Sequence, residues 1–199
     1  SIQVIAIEDA TGILVWGGTV IYFDPTGRVD AFVGQPAPHI VLVTDIHGDH
    51  FSTSTLEAVV GNATLVVPQA VQDQLPENLA SRATVLANEQ TITEQGFSIT
   101  GIPMYNLPGS DNETFHTKGR GNGYVLEKDD ARVYIAGDTA GTPEMRALTN
   151  IDIAFIPMNL PYTMSVEEAA DAVLAFKPKV VYPYHFRGPD GLADVDTFK

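Results

Sequence analysis

Cysteine is absent from this chain. That rules out disulfides, thiol nucleophiles and thiolate metal sites, and leaves imidazole and carboxylate as the strong metal ligands. Absence of cysteine suits an exported bacterial protein, so a periplasmic or secreted location is favoured over a cytoplasmic one. A first residue of Ser fits either a processed signal peptide or a trimmed terminus. Basic residues are scarce: 11 Lys and Arg stand against 25 Asp and Glu, for a net charge of -14. A polyanion would be repelled overall, so nucleic acid is excluded as an expected partner. No apolar run reaches the length of a transmembrane helix, and no membrane partner is expected. The Gly-x-Ser-x-Gly turn of serine hydrolases is missing, and Gly119-Arg-Gly-Asn-Gly123 makes no phosphate loop.

What is there is one domain's worth of sequence, 199 residues with an ordinary globular balance of apolar and charged groups. Its centre is Val41-Leu42-Val43-Thr44 running into Asp45-Ile-His47-Gly-Asp49-His50. The apolar, β-branched run predicts a buried strand through Thr44. Ser54-x-x-Glu57 predicts a helix opened by a capping box. Four potential ligands thus collect at the carboxyl end of a strand, where ligands gather in open α/β sheets. A tight loop centred on Gly48 could aim them at one place; a rigid helix could not.

Around this stretch the chain reads as strands over 2–7, 12–16 and 19–23, the last two joined by a Gly17-Gly18 hairpin. Asp24-Pro25 reads as a turn and His39 as a structural histidine at a strand start. A strand over 64–67 and a short helix over 69–75 come next. Residues 84–86, 90–93 and 97–104 read as strands of one meander. Tyr105–Gly121 is a long loop of the kind that often carries function. Strands over 123–127 and 132–136 lead into Gly137-Asp138-Thr139, and Pro143 opens a helix. Another strand spans 151–156. Ser165-x-x-Glu168 caps a helix to Phe176, with Val166, Ala169, Ala170, Val173 and Leu174 on its apolar face. The strand over 180–184 delivers His185. The second half echoes the first, which predicts two β-rich halves with helices outside, an α/β sandwich.

Asp45, His47, Asp49, His50, His116, Asp138 and His185 are seven nitrogen or oxygen ligands from four segments. Each histidine alone could be a hydrogen-bonded core residue, and Asp138 a helix N-cap. Asp-x-His-x-Asp-His after an apolar run is harder to read as solvated surface. The set suits one or two divalent ions, zinc first, with manganese, iron or nickel as alternatives. Two ions about 3.5–4 Å apart could share a hydroxide and clamp a hydrolytic transition state. Asp49 or Asp138 would orient the nucleophile and pass its proton to the leaving group.

With these motifs in this order over nearly its whole length, the chain resembles the metallo-β-lactamase superfamily, in particular the small group related to bacterial L-ascorbate-6-phosphate lactonase. The resemblance implies an αββα sandwich of two mixed sheets with helices on the outer faces, as a single domain over 1–199. It implies a first metal on His47, His116 and residue 45, a second on Asp49, His50 and His185, and Asp138 as bridge. Asp45 departs from the family's histidine. A carboxylate there adds negative charge and favours harder ions, or orients a ligand from outside. The activity implied is hydrolysis of a small-molecule ester, lactone, amide or phosphoester by a metal-bound hydroxide. Lactone or ester comes first, and β-lactam cleavage is a side activity. An iron-dependent oxidoreductase and a non-catalytic metal binder are the alternatives. Lys118, Arg120 and Arg187 read either as an anion site for the substrate or as surface charge. Asn106, Asn159 and Tyr162 lie in loops expected near the substrate. A homo-oligomer is compatible with the sequence.

Overall fold

The computed structural model describes residues 1–185 and the backbone of 187–188 and 191–192. The chain divides into two compact units, residues 1–86 and 87–199. Each is built on one six-stranded mixed sheet.

The first sheet runs in sequence order: β1 (Ile2–Glu8), β2 (Thr11–Trp16), β3 (Thr19–Phe23), β4 (Ile40–Leu42), β5 (Thr64–Val67) and β6 (Ala83–Val85). β1 to β3 are antiparallel, and β3 to β6 are parallel. Trp16 pairs with Thr19 across Gly17 and Gly18, whose φ values are +54° and +85°. Both positions of this two-residue turn lie in the left-handed region, which glycine occupies without strain. The parallel strands need crossovers. α1 (Thr53–Val59) lies in the crossover from β4 to β5, and α2 (Gln69–Gln72) and α3 (Glu77–Ala80) in the one from β5 to β6. One sheet face packs Val41, Val43, Leu65 and Val67 against Leu56, Val60, Val71 and Leu79. Ile40, Leu42 and Val66 on the alternate positions are buried too. That double burial is why the central run is apolar without alternation. Truncating a side chain such as Leu56 to Ala would cost about 2–5 kcal/mol.

Three expectations change here. The N-cap of α1 is Ser52, not Ser54: its backbone is extended and its Oγ accepts from Thr55 N–H at 3.3 Å. Ser54 is already helical and cannot cap. The helix expected over 69–75 is a single turn, α2, and a second turn, α3, follows Pro76 where none was expected. β6 does not join a meander; those two turns return the chain so that β6 lies parallel to β5.

The second sheet has the order β12-β11-β10-β9-β8-β7. Its strands are β7 (Thr91–Glu94), β8 (Phe97–Met104), β9 (Gly121–Lys128), β10 (Ala131–Ile135), β11 (Ile153–Pro157) and β12 (Val180–Tyr184). β7 to β10 are antiparallel, and β10 to β12 parallel. α4 (Pro143–Arg146) is one turn capped by Thr142, whose Oγ1 accepts from Met145 N–H at 3.1 Å. In α5 (Val166–Phe176) Ser165 caps as expected, accepting from Glu168 N–H at 3.1 Å. Val166, Ala169, Ala172 and Phe176 of α5 pack on Tyr134, Ala136, Ala154 and Ile156 of the sheet. Leu174, expected on that face, is 72% exposed. The buried stripe follows Val166, Ala169 and Phe176, and Leu174 falls two residues off it. So the α/β class with two mixed sheets and packed helices is as the sequence leads one to expect. Among the described residues no helix is long and apolar enough to cross a membrane.

Candidate metal centre

In the first unit the ligand-bearing stretch leaves the sheet earlier than predicted. β4 ends at Leu42, although Val43 N–H still reaches Val66 O at 3.1 Å. Thr44 N–H then turns to the side chain of Asp24, donating to Oδ1 at 2.7 Å, so the ladder stops. The Thr44 hydroxyl donates to Asp24 Oδ2 at 2.6 Å, and His50 Nδ1 meets the same oxygen at 2.6 Å. Asp24, His50 and Thr44 are fully buried. Asp24 is therefore not a mere turn-former. It sits at the end of β3, beside the end of β4, and orders the loop between Thr44 and His50. The signal was its place, an acid at a strand's carboxyl end. Burial pushes its carboxyl above the ordinary value, opposed by His50 and Thr44. A carboxylate acceptor fixes the proton of His50 on Nδ1, the tautomer that a metal on Nε2 requires.

The loop itself is closed by His47, whose carbonyl accepts from the amides of His50 and Phe51, both at 2.9 Å. Gly48 is not among the residues with positive φ and faces open space, so its conformational freedom is not what shapes the loop. Asp45 is buried, with Oδ2 3.6 Å from Nδ1 of the half-exposed His47. Asp49 is more accessible: its side chain is 40% exposed, with Oδ1 3.7 Å from His50 Nε2.

In the second unit Asp138 is the hub. It follows Gly137, whose φ of +71° only glycine adopts readily and whose N–H donates to the Tyr184 hydroxyl at 2.8 Å. The buried Asp138 carboxylate meets His185 Nδ1 through Oδ1 at 2.8 Å and His116 Nε2 through Oδ2 at 3.1 Å. Asn159 lies 3.0 Å from His185 Nε2. Asn106 Nδ2 lies 3.2 Å from His116 Nδ1 and donates to the carbonyls of Asn112 and Tyr162, both at 2.8 Å. Thr139 Oγ1, at 3.2 Å from both the amide and the carbonyl of Tyr105, ties the start of the long loop to the Asp138 turn. His39 is structural as expected, its Nδ1 accepting from Val20 N–H at 2.9 Å.

The basic residues proposed for substrate have partners of their own. Lys118 pairs with Glu144 at 2.7 Å and lies 4.9 Å from the centre of the Tyr105 ring. Partial burial pulls the Glu144 carboxyl up, but its bonds from Lys118 and Tyr105 hold it below its ordinary value. Arg120 donates to Phe115 O at 2.8 Å. The Arg187 side chain lies outside the described residues. Tyr162 is exposed and Asn159 buried.

Within the units, Asp45 with His47, Asp49 with His50, and Asp138 with His185 each offer ligand atoms within 4.8 Å of one another. Donors of imidazole and carboxylate only, with the His50 tautomer set by the buried Asp24, fit a divalent ion of borderline to hard character.

A model of the beta-lactamase superfamily domain matches residues 3–185. A UPF0173 metal-dependent hydrolase of Thermococcus onnurineus is 32% identical, over 80% of this chain and 72% of its own. One from Pyrococcus abyssi is 30% identical, over 92% of this chain and 84% of its own. The crystal structure of a putative metal-dependent hydrolase from Parabacteroides distasonis is 33% identical. It superposes with a TM-score of 0.87, covering 100% of this chain and 86% of that one. The chain belongs to the beta-lactamase superfamily and has its metallo-β-lactamase fold. It is a metal-dependent hydrolase of that superfamily.

Proposed function

We propose that this hydrolase cleaves a small-molecule ester or lactone. It does so with one or two divalent ions, zinc first, held by Asp45, His47, Asp49, His50, His116, Asp138 and His185. The observation that supports the reading most is Asp138. Each oxygen of this buried carboxylate lies beside a nitrogen of a different histidine, so each oxygen–nitrogen pair could share an ion and Asp138 could bridge the two; a plain helix cap has no use for that arrangement. When bound, the metal supplies an acidified water and a positive charge for the developing oxyanion. The chain's own residues do the rest. Asp24 holds the His50 ring and its proton, and Asn159 holds the His185 ring at Nε2, which would leave Nδ1, beside Asp138 Oδ1, to take the ion. As a bridging ligand Asp138 would spend both oxygens on the ions, so proton transfer falls to the more exposed Asp49. Water adds to the acyl carbon, the acyl–oxygen bond breaks, and the proton taken up by Asp49 passes to the leaving oxygen. A carboxylate at position 45 tilts the first position toward harder ions such as manganese. The relatives' names favour hydrolysis over the iron-dependent redox reading and the non-catalytic binder.

The test is metal content by mass spectrometry alongside an ester and lactone screen. His47→Ala and Asp138→Ala are expected to lose bound metal and turnover together. Full turnover in a metal-free variant would refute the mechanism.

A further inference from the structure

Two aromatic rings stand out of the protein beside the proposed ligands. Phe115 directly precedes His116 and is 39% exposed; Tyr162 lies three residues after Asn159 and is 47% exposed. They come from different loops, yet their rings meet edge to face with centroids 5.1 Å apart. The backbone beneath them is tied down at four carbonyls. Asn106 Nδ2 holds Tyr162 O at 2.8 Å, and Asn112 Nδ2 holds Pro161 O and Thr163 O at 3.0 and 3.1 Å. Arg120 holds Phe115 O at 2.8 Å. The backbone under the rings is thus held, and the rings brace each other while left open to solvent. A pair that served packing alone would be buried, as Tyr134 and Phe176 are. Rigid exposed aromatics offer large apolar area at low entropic cost, which is the property of a recognition surface. Among the described residues of this unit the other exposed aromatic is Tyr182, stacked on Phe155 at 5.3 Å within the sheet. Asn106 also touches His116, so the platform and the ligand share one support.

We infer that Phe115 and Tyr162 are the platform for an aryl group of the substrate. The ester or lactone cleaved then carries a phenyl ring close to its acyl carbon. This rests on the hydrolase reading above and narrows its substrate class.

Phenylacetate and acetate share a headgroup and differ by the ring, so their binding to the metal-loaded protein isolates the platform. Calorimetry is expected to show phenylacetate binding more tightly. Phe115→Ser and Tyr162→Ser should each weaken phenylacetate by roughly three- to tenfold and leave acetate unchanged. Tyr162→Phe, which keeps the ring, should bind as the parent does, and thermal melts would show that all three variants stay folded. The ratio of kcat/KM for methyl phenylacetate over methyl acetate should fall in the two Ser variants by the same factor. Equal binding of phenylacetate and acetate, or a preference that survives both Ser variants, overturns the platform whether or not esters turn over. A ring-dependent preference with no hydrolysis of either ester leaves the platform standing and overturns the ester reading instead.

Discussion

Replacing Asp24 by Asn tests how the first unit prepares its histidine. Asp24 receives Thr44 N–H at 2.7 Å on Oδ1, and the Thr44 hydroxyl and His50 Nδ1 at 2.6 Å each on Oδ2. An amide of the same shape has one accepting oxygen. If that oxygen keeps Thr44 N–H, the new NH2 points at His50, and the imidazole can accept only by moving its proton to Nε2. A proton on Nε2 blocks metal there. If the oxygen turns to His50, the NH2 opposes Thr44 N–H, and the end of β4 loses its anchor. Either way one buried donor is unsatisfied, at a cost of about 1–3 kcal/mol to the metal-free fold. Loss of such a partner behind a ligand histidine typically lowers metal affinity by about 10–100-fold. That corresponds to about 1.4–2.8 kcal/mol. Urea denaturation of the metal-free protein reads the first quantity, and zinc titration against a competing chelator reads the second. Nitrogen-15 spectra of the His50 ring report the tautomer directly. Unchanged zinc affinity together with an unchanged tautomer in Asp24→Asn would refute the argument.

Two further predictions concern the second unit. Tyr134 is wholly buried, burial pushes its phenol far above the ordinary value, and its hydroxyl has no hydrogen-bond partner among the described residues. Tyr134→Phe should therefore stabilise by about 1 kcal/mol, raising Tm by about 2–4 °C for a chain of this size; a fall in Tm refutes the assignment. The Asp152 carboxyl lies below its ordinary value because it accepts Arg132 N–H at 2.8 Å and pairs with Lys179 at 3.0 Å. A depressed carboxylate contributes stability above its unfolded value of 3.8 and loses it as pH falls through the folded one. Asp152→Asn should cost about 0.5–1.5 kcal/mol at neutral pH, and the gap to the parent should close below 3.8; a constant gap across that range in urea melts refutes it.

The sequence is most legible where a local rule decides the outcome. Gly17-Gly18 fixes the hairpin of β2 and β3, Ser165 the start of α5, and the apolar stretches over 64–67, 97–104 and 180–184 form strands with those bounds. It is less legible where the deciding partner lies elsewhere in the chain. β4 reads two residues too long because Thr44 N–H is claimed by a side chain at the end of β3. β6 reads as part of a meander because three residues of strand do not reveal their neighbour. Asp24 reads as a turn because Asp-Pro is a turn signal; its φ of +45° agrees with a turn, and only the paired ends of β3 and β4 give it a second task.

Parallel pairing explains why the proposed ligands fall where they do in the second unit. β10, β11 and β12 lie side by side and point the same way. The segment leaving each strand must therefore emerge on the same edge. Asp138 comes after β10, Asn159 after β11 and His185 after β12, and these three are bonded in series through the two nitrogens of one imidazole. The first unit applies the same logic to one pair: β3 and β4 are parallel, and Asp24 after one meets Thr44 after the other. In both units a buried carboxylate at one strand end meets an imidazole that arrives from another segment. His50, whose partner Asp24 is not itself a proposed ligand, holds its ring and proton before any metal arrives. Motifs far apart in sequence are brought to one sheet edge because parallel strands cannot end anywhere else.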